Sequence, residues 1–341
     1  VIDGHNDVLS HLQKHDAPDD AILVEDAAAV TVPRARAGGF AAGMFAVLPP
    51  AGDWVEVERS ANGYDIPYAP AVAWEDSARS VAALGARLFR LLAAADGQVR
   101  LVRDAADLDA CLAGEALGVV FHMEGAEAID TDLDALEVWH AAGLRSVGLV
   151  WSRPNAFAHG VPFRFPSTPD TGPGLTDAGE RLVRRCAERG IAVDLSHLNA
   201  AGFWDVARID AGPLIASHSG VYELCTYSRN LTDDQLDAIA GSGGLVGINF
   251  DVGSLRADGG DDADTPLSRI ADHARYVAER CGVDHVALGS DFDGATMPAG
   301  VPDASAYQGV LAALAAAGFA DHEVDQIAWG NWRRVLAAVW R

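Results

Sequence analysis

The stretch Leu117–Glu124, LGVVFHME, is apolar almost throughout and closes on a carboxylate. A strand with one wet face would alternate polar and apolar residues, so this run fits a parallel strand covered on both faces. Leu245–Asp251, LVGINFD, has the same character. Six further β-rich runs surround these two: Val1–Val8, Phe40–Leu48, Ser146–Trp151, Ala192–His197, Leu214–Ser219 and His285–Asp291. Helical patterns separate most of them. Residues 75–95, EDSARSVAALGARLFRLLAAA, repeat apolar residues at three- and four-residue spacing. A second helix has an N-cap in Thr176 and a stop at Gly190, and a third starts at Thr232 and stops at Gly241. Eight strands joined by helical crossovers predict an α/β fold, a (β/α)8 TIM barrel taking up residues 1–341 as one domain. An open doubly wound sheet would need a glycine-rich phosphate turn after its first strand, and DGHND, Asp3–Asp7, stands there instead. Extra length follows strands two, four and seven, in residues 49–70, 152–173 and 252–266, where it would lie over the C-terminal mouth.

Composition narrows the partners. The chain has 341 residues, half of them hydrophobic, which suffices for a large core. Its formal net charge of −24 disfavours nucleic acid and anionic membrane surfaces. Cys111, Cys186, Cys225 and Cys281 lie far apart, form no CxxC pair and read as reduced thiols. Lys14 is the only lysine, and the Arg- and Ala-rich composition suggests GC-rich bacterial DNA. No apolar run approaches the ~20 residues of a membrane span, and no signal-like segment opens the chain, so a cytoplasmic location is expected.

The chemistry-bearing residues fall at strand ends. Strand one carries His5 and Asp7, strand three ends on Glu124, strand five on His197, strand six on His218 and strand eight on Asp291. The two-residue spacing of His5 and Asp7 would place both side chains on one face of the strand. Any one of these residues alone would be an ordinary core histidine or a helix cap. Six of them on five strand ends converge on one mouth if the barrel closes. Three carboxylates buried together without cations would be severely unfavourable, and bound metal removes that cost. Nitrogen and oxygen ligands without thiolate suit Zn²⁺, with Mn²⁺, Co²⁺ or Fe²⁺ as substitutes. One tetrahedral ion cannot use all six groups and stay open, whereas two ions about 3.5–4 Å apart can share a carboxylate and a water. Glu124, midway between strands one and five, is the natural bridge. His5 and Asp7 would complete one metal, His197 and His218 the other, leaving Asp291 for proton transfer.

In order, DGHND, HMEG, DLSH, SHSG, SRNLTDDQL and GSDFDG resemble the membrane (renal) dipeptidase family, peptidase family M19 of the amidohydrolase superfamily. The resemblance runs from Val1 to NWRRVL, residues 331–336. It implies zinc-dependent hydrolysis of L,L- and L,D-dipeptides through a metal-bridging hydroxide, with the same division of ligands. It also implies that Arg229, in SRN, binds the substrate's C-terminal carboxylate, for which a guanidinium fork is suited. The family's strand-four histidine, a contact to the substrate carbonyl, falls on Trp151. His159 is the candidate to replace it, with Asn155 and Arg153 as further substrate contacts. His122 is expected deeper on the same face as Glu124, supporting the ligands. Side-chain pockets would draw on Trp54, Tyr64, Tyr68, Phe157, Phe163, Tyr222 and Tyr227. Family members are often homodimers, which makes a homodimer an option here. Trp329, Trp332 and Trp340 are expected to pack under the barrel. The rival readings are another binuclear amidohydrolase and a metal-binding barrel without turnover. A carbamylated-lysine bridge is excluded because Lys14 lies beyond strand one.

Overall fold

The computed structural model describes residues 1–49 and 63–340. Eight parallel strands close into a barrel: β1 (Ile2–Asn6), β2 (Ala42–Val47), β3 (Leu117–Glu124), β4 (Leu144–Gly148), β5 (Ala192–Asp194), β6 (Ile215–Ser219), β7 (Leu245–Ile248) and β8 (Val286–Leu288). Each pairs with its neighbours in sequence, and β8 returns to β1 through Leu288 and Asp3. Every residue of β3 is buried, as its nearly continuous apolar run suggests. The fold is therefore the predicted (β/α)8 barrel.

Local signals set the helices. Thr176 accepts a hydrogen bond from the Gly179 amide and caps Asp177–Arg189, which ends on Gly190 in the left-handed conformation. Thr232 and Gln235 form a capping box at the start of Asp233–Gly241. The apolar-periodic segment after β2 forms Trp74–Ala94. Among the described residues, no helix is long and apolar enough to cross a membrane.

The floor of the barrel is apolar. Ile2, Ala42, Val120, Ala192, Ile215, Leu245 and Ala287 form a cluster with Trp332, Val335 and Leu336 of the C-terminal helix Asn331–Val339. Trp332 Nε1 donates to the Leu288 carbonyl at 3.0 Å, so the ring is buried without an unmet donor. Trp340 is buried in the same cluster, but Trp329 is 40% exposed and does not pack as expected.

Over the opposite end, Tyr64–Ile66 pairs antiparallel with Phe163–Phe165. This two-stranded ribbon joins the segment after β2 to the segment after β4, both expected over the mouth. Several strands end earlier than their apolar runs suggest. His197 lies beyond β5, and Asp291 beyond β8, with φ of 68° and 65°. Left-handed backbone cannot continue a strand ladder, so these side chains are aimed by turns. Asp7 likewise sits outside β1, at the N-cap of Val8–Lys14.

Candidate metal centre

Strand ends and the turns just past them deliver the ligand candidates to one point. Glu124 Oε1 lies 2.9 Å from His197 Nε2 and 3.7 Å from His218 Nε2. Its other oxygen, Oε2, lies 3.7 Å from His5 Nε2, which is 3.5 Å from Asp7 Oδ2. One carboxylate thus faces two groups of nitrogen donors. The His197 and His218 Nε2 atoms are 3.2 Å apart, and the His5 and His218 rings stack with centroids at 4.0 Å. Donor atoms of His5, Glu124 and His218 fall within 4.8 Å of one another, as do those of His5, Asp7 and Asp291. Alternation along β1 did not bring His5 and Asp7 together; the turn into the first helix did.

The chemistry of this donor set fits metal. Among the described residues, both ring nitrogens of His5 and Oδ1 of Asp7 are buried without a hydrogen-bond partner. Such orphans are costly unless a further group completes them. Burial works against a charged His5, yet the Glu124, Asp7 and Asp291 carboxylates outweigh it and push its pKa up to about 10. Burial pushes Glu124 up to about 8 and raises Asp291. Burial, with His5 and Arg229 nearby, holds His197 and His218 well below the usual range for histidine, in the neutral form that ligates.

Supporting bonds fix the donors. Ser152 Oγ meets His197 Nδ1 at 2.7 Å and Ser217 Oγ meets His218 Nδ1 at 2.8 Å, so both rings turn Nε2 toward Glu124. Asn249 Nδ2 donates to Asp291 Oδ2 at 3.1 Å. His122 lies deeper, with Nδ1 against Ser146 Oγ at 2.9 Å and its ring edge-on to His5. Of these supports only His122 was singled out in the sequence. Ser217 stands within ASHS, whereas Ser152 reaches His197 from 45 residues away in the chain, a contact that only the fold makes.

The centre opens into a cavity of about 470 Å³. Asp7, Glu124, His197, His218, Arg229 and Asp291 line it, together with Tyr64, Ile66, Trp151, Phe163 and Tyr227. Arg229 is 7% exposed; its Nη2 donates to the His218 carbonyl at 3.2 Å, and its Nη1 is buried without a partner among the described residues. Two expected substrate contacts are elsewhere. The Asn155 side chain donates to the Leu149 carbonyl and accepts from the Phe157 and Ala158 amides, so its polar atoms brace the loop. His159 does not line the cavity; it pairs with Pro154 through the backbone. Arg153 is buried against Glu127, their closest atoms 2.8 Å apart. Phe157 belongs to the core, Tyr68 and Tyr222 do not line the cavity, and Trp54 lies outside the described residues.

A parallel barrel that gathers histidines and carboxylates at its C-terminal mouth defines a metal-dependent hydrolase. The pattern of the membrane dipeptidase family, peptidase family M19, matches residues 1–340. The chain belongs to that family and is a metallo-dipeptidase. An uncharacterized protein in the pqqA 5' region of Klebsiella pneumoniae is 44% identical over 254 residues, covering 74% of this chain and 94% of that protein. Dipeptidase aclJ of Aspergillus oryzae is 34% identical over 218 residues, 64% of this chain and 50% of its own length. A metallo peptidase from Rhodobacter sphaeroides, solved with a phosphinate mimic of the dipeptide L-Ala-D-Ala, is 40% identical and superposes with a TM-score of 0.94. It covers 100% of this chain and 99% of its own.

Proposed function

We propose that this chain hydrolyses dipeptides with a free C-terminal carboxylate at a site for two Zn²⁺ ions, which Mn²⁺, Co²⁺ or Fe²⁺ can replace. His5 and Asp7 would hold one ion, His197 and His218 the other, and Glu124 both. The observation that carries this reading is Glu124 itself, with one oxygen toward His5 and the other toward the His197–His218 pair. When bound, such a metal pair supplies Lewis acidity and a water acidified toward neutral pH.

The rest falls to the protein's own groups. Arg229 offers to the substrate carboxylate its Nη1, which has no partner among the described residues, while its Nη2 stays tied to the His218 carbonyl. That anchor sets the length of substrate that reaches the centre. Asp291 takes the proton of the attacking water and passes it to the leaving amine. Burial raises its pKa, and Asn249 steadies one oxygen. Trp151, Phe163 and Tyr227 give the side chains an apolar wall and exclude water. The Rhodobacter sphaeroides relative, with its L-Ala-D-Ala mimic, supports including L,D-dipeptides among the substrates.

A panel of L,L- and L,D-dipeptides assayed with and without chelator tests the reaction. Chelator-sensitive turnover is expected, and its absence across the panel would point to another amide or ester hydrolase. Metal analysis of a loaded sample should give two ions per chain; well under two contradicts the binuclear site. Arg229→Ala should lose much more activity on a dipeptide than on its C-terminal amide, and equal losses would sink the anchoring role.

A further inference from the structure

A buried carboxylate beneath the centre has no part in the steps above. Asp194, the last residue of β5, is 1% exposed. Its Oδ1 accepts from the Ser196 and Ser217 amides at 3.0 and 2.8 Å, and its Oδ2 accepts from the Ser217 hydroxyl at 2.5 Å. His122 Nε2 lies further off, 3.7 Å from Oδ2. A serine hydroxyl has one proton, and Asp194 takes it. The Ser217 oxygen is then an acceptor toward His218 Nδ1, 2.8 Å away. It follows that Nδ1 carries the hydrogen and Nε2 presents a bare lone pair to Glu124.

We infer that Asp194, acting through Ser217, is a positioning residue that fixes the tautomer of His218 and keeps its Nε2 free for metal. The inference rests on the metal-site reading above. The backbone is built around this relay. The Ser217 carbonyl presses into space left by Gly4, Gly247 and Gly289, where any Cβ would collide with it. The ladder between β6 and β7 also slips register at this point. His197 lacks such backing: Ser152 meets its Nδ1, but among the described residues no carboxylate hydrogen-bonds Ser152. The two histidines that face Glu124 Oε1 are therefore held with unequal force.

Asparagine at position 194 inverts the relay. Its oxygen can keep the two amides, but its NH₂ then donates to Ser217, which must donate in turn to His218 Nδ1 and drive the ring hydrogen to Nε2. Zinc-loaded wild type, Asp194→Asn, Ser217→Ala, Ser217→Thr and Ser152→Ala are compared by chelator competition. Asp194→Asn should weaken retention about 10–100-fold, the usual range for lost support of a metal ligand. Ser217→Ala should cost less, because the ring is then free to choose its tautomer, and Ser217→Thr should restore wild-type retention. Ser152→Ala should cost less than Asp194→Asn. Ring ¹⁵N shifts of His218 in metal-free protein give the second readout: Nδ1–H in wild type and Nε2–H in Asp194→Asn. Wild-type retention together with Nδ1–H in Asp194→Asn would overturn the inference. If that variant does not fold, equal retention in wild type, Ser217→Ala and Ser217→Thr overturns it instead. A wild-type chain that holds no metal defeats the metal-site reading, and the tautomer comparison still decides this one.

Discussion

The two ends of the barrel obey opposite rules. At the floor, apolar side chains from the strand starts close on Trp332, Val335 and Leu336, and the polar groups beside them find backbone partners. Trp332 Nε1 reaches Leu288, and Asn331 Nδ2 reaches the Val283 and Val286 carbonyls, both at 2.8 Å. At the mouth, His5, Asp7 and Arg229 keep buried polar atoms without partners among the described residues, and His197 and Asp291 adopt backbone angles that most residues avoid. The same strands therefore end in stability on one side and in unmet valence on the other. Such a division is expected of a barrel enzyme. Here it is drawn atom by atom.

Substitutions at each end should separate the two properties. Trp332→Ala removes the floor's central ring and should cost about 3–5 kcal/mol in denaturant unfolding, while the folded fraction keeps its metal content and KM. Glu124→Gln should do the reverse. A loss of at least about a thousandfold in kcat/KM, about 4 kcal/mol of transition-state stabilisation, is expected. The metal-free variant should melt no lower than metal-free wild type, because burial disfavours the native carboxylate. A large drop in that melting temperature would show that Glu124 serves the fold as well.

A pH titration of metal uptake probes the mouth alone. In the metal-free site the surrounding carboxylates keep His5 protonated to about 10, although burial opposes it. Ligation requires the neutral ring, so affinity should rise with pH, by about tenfold per unit where one proton is displaced, and level off above the pKa. Proton release in weak buffer measures the same exchange. A flat profile between pH 7 and 9 would contradict it. The smallest effect is expected at His159→Ala, which should leave kcat/KM within about twofold, since the residue does not line the cavity. A large loss would return this histidine to the site.

How far the sequence could be read follows the same division. Nearly continuous apolar runs such as Leu117–Glu124 fit strands buried on both faces, and eight of them joined by helical crossovers, with DGHND where a phosphate turn would stand, point to a closed parallel barrel. The donor residues were legible because a buried cluster of carboxylates and histidines has few physical solutions. Their aim was not. The pattern places His197 and Asp291 at the ends of strands, and only φ angles near 65° show how they turn inward. Asn155 read as a substrate contact because an amide in a loop over the mouth looks available, but the loop's own backbone consumes it. The Asp194–Ser217–His218 relay needs the β5–β6 contact, which no spacing along the chain reveals.

The ribbon of Tyr64–Ile66 against Phe163–Phe165 makes two insertions into one part. Barrel enzymes are often pictured as scaffolds whose loops can be exchanged singly to retune selectivity. In this chain a graft at the segment after β4 would arrive with half of a paired element and leave Tyr64 facing a foreign partner. Tyr64, Ile66 and Phe163 line the cavity from the ribbon itself, so a change in selectivity at this wall has to move both insertions as a unit.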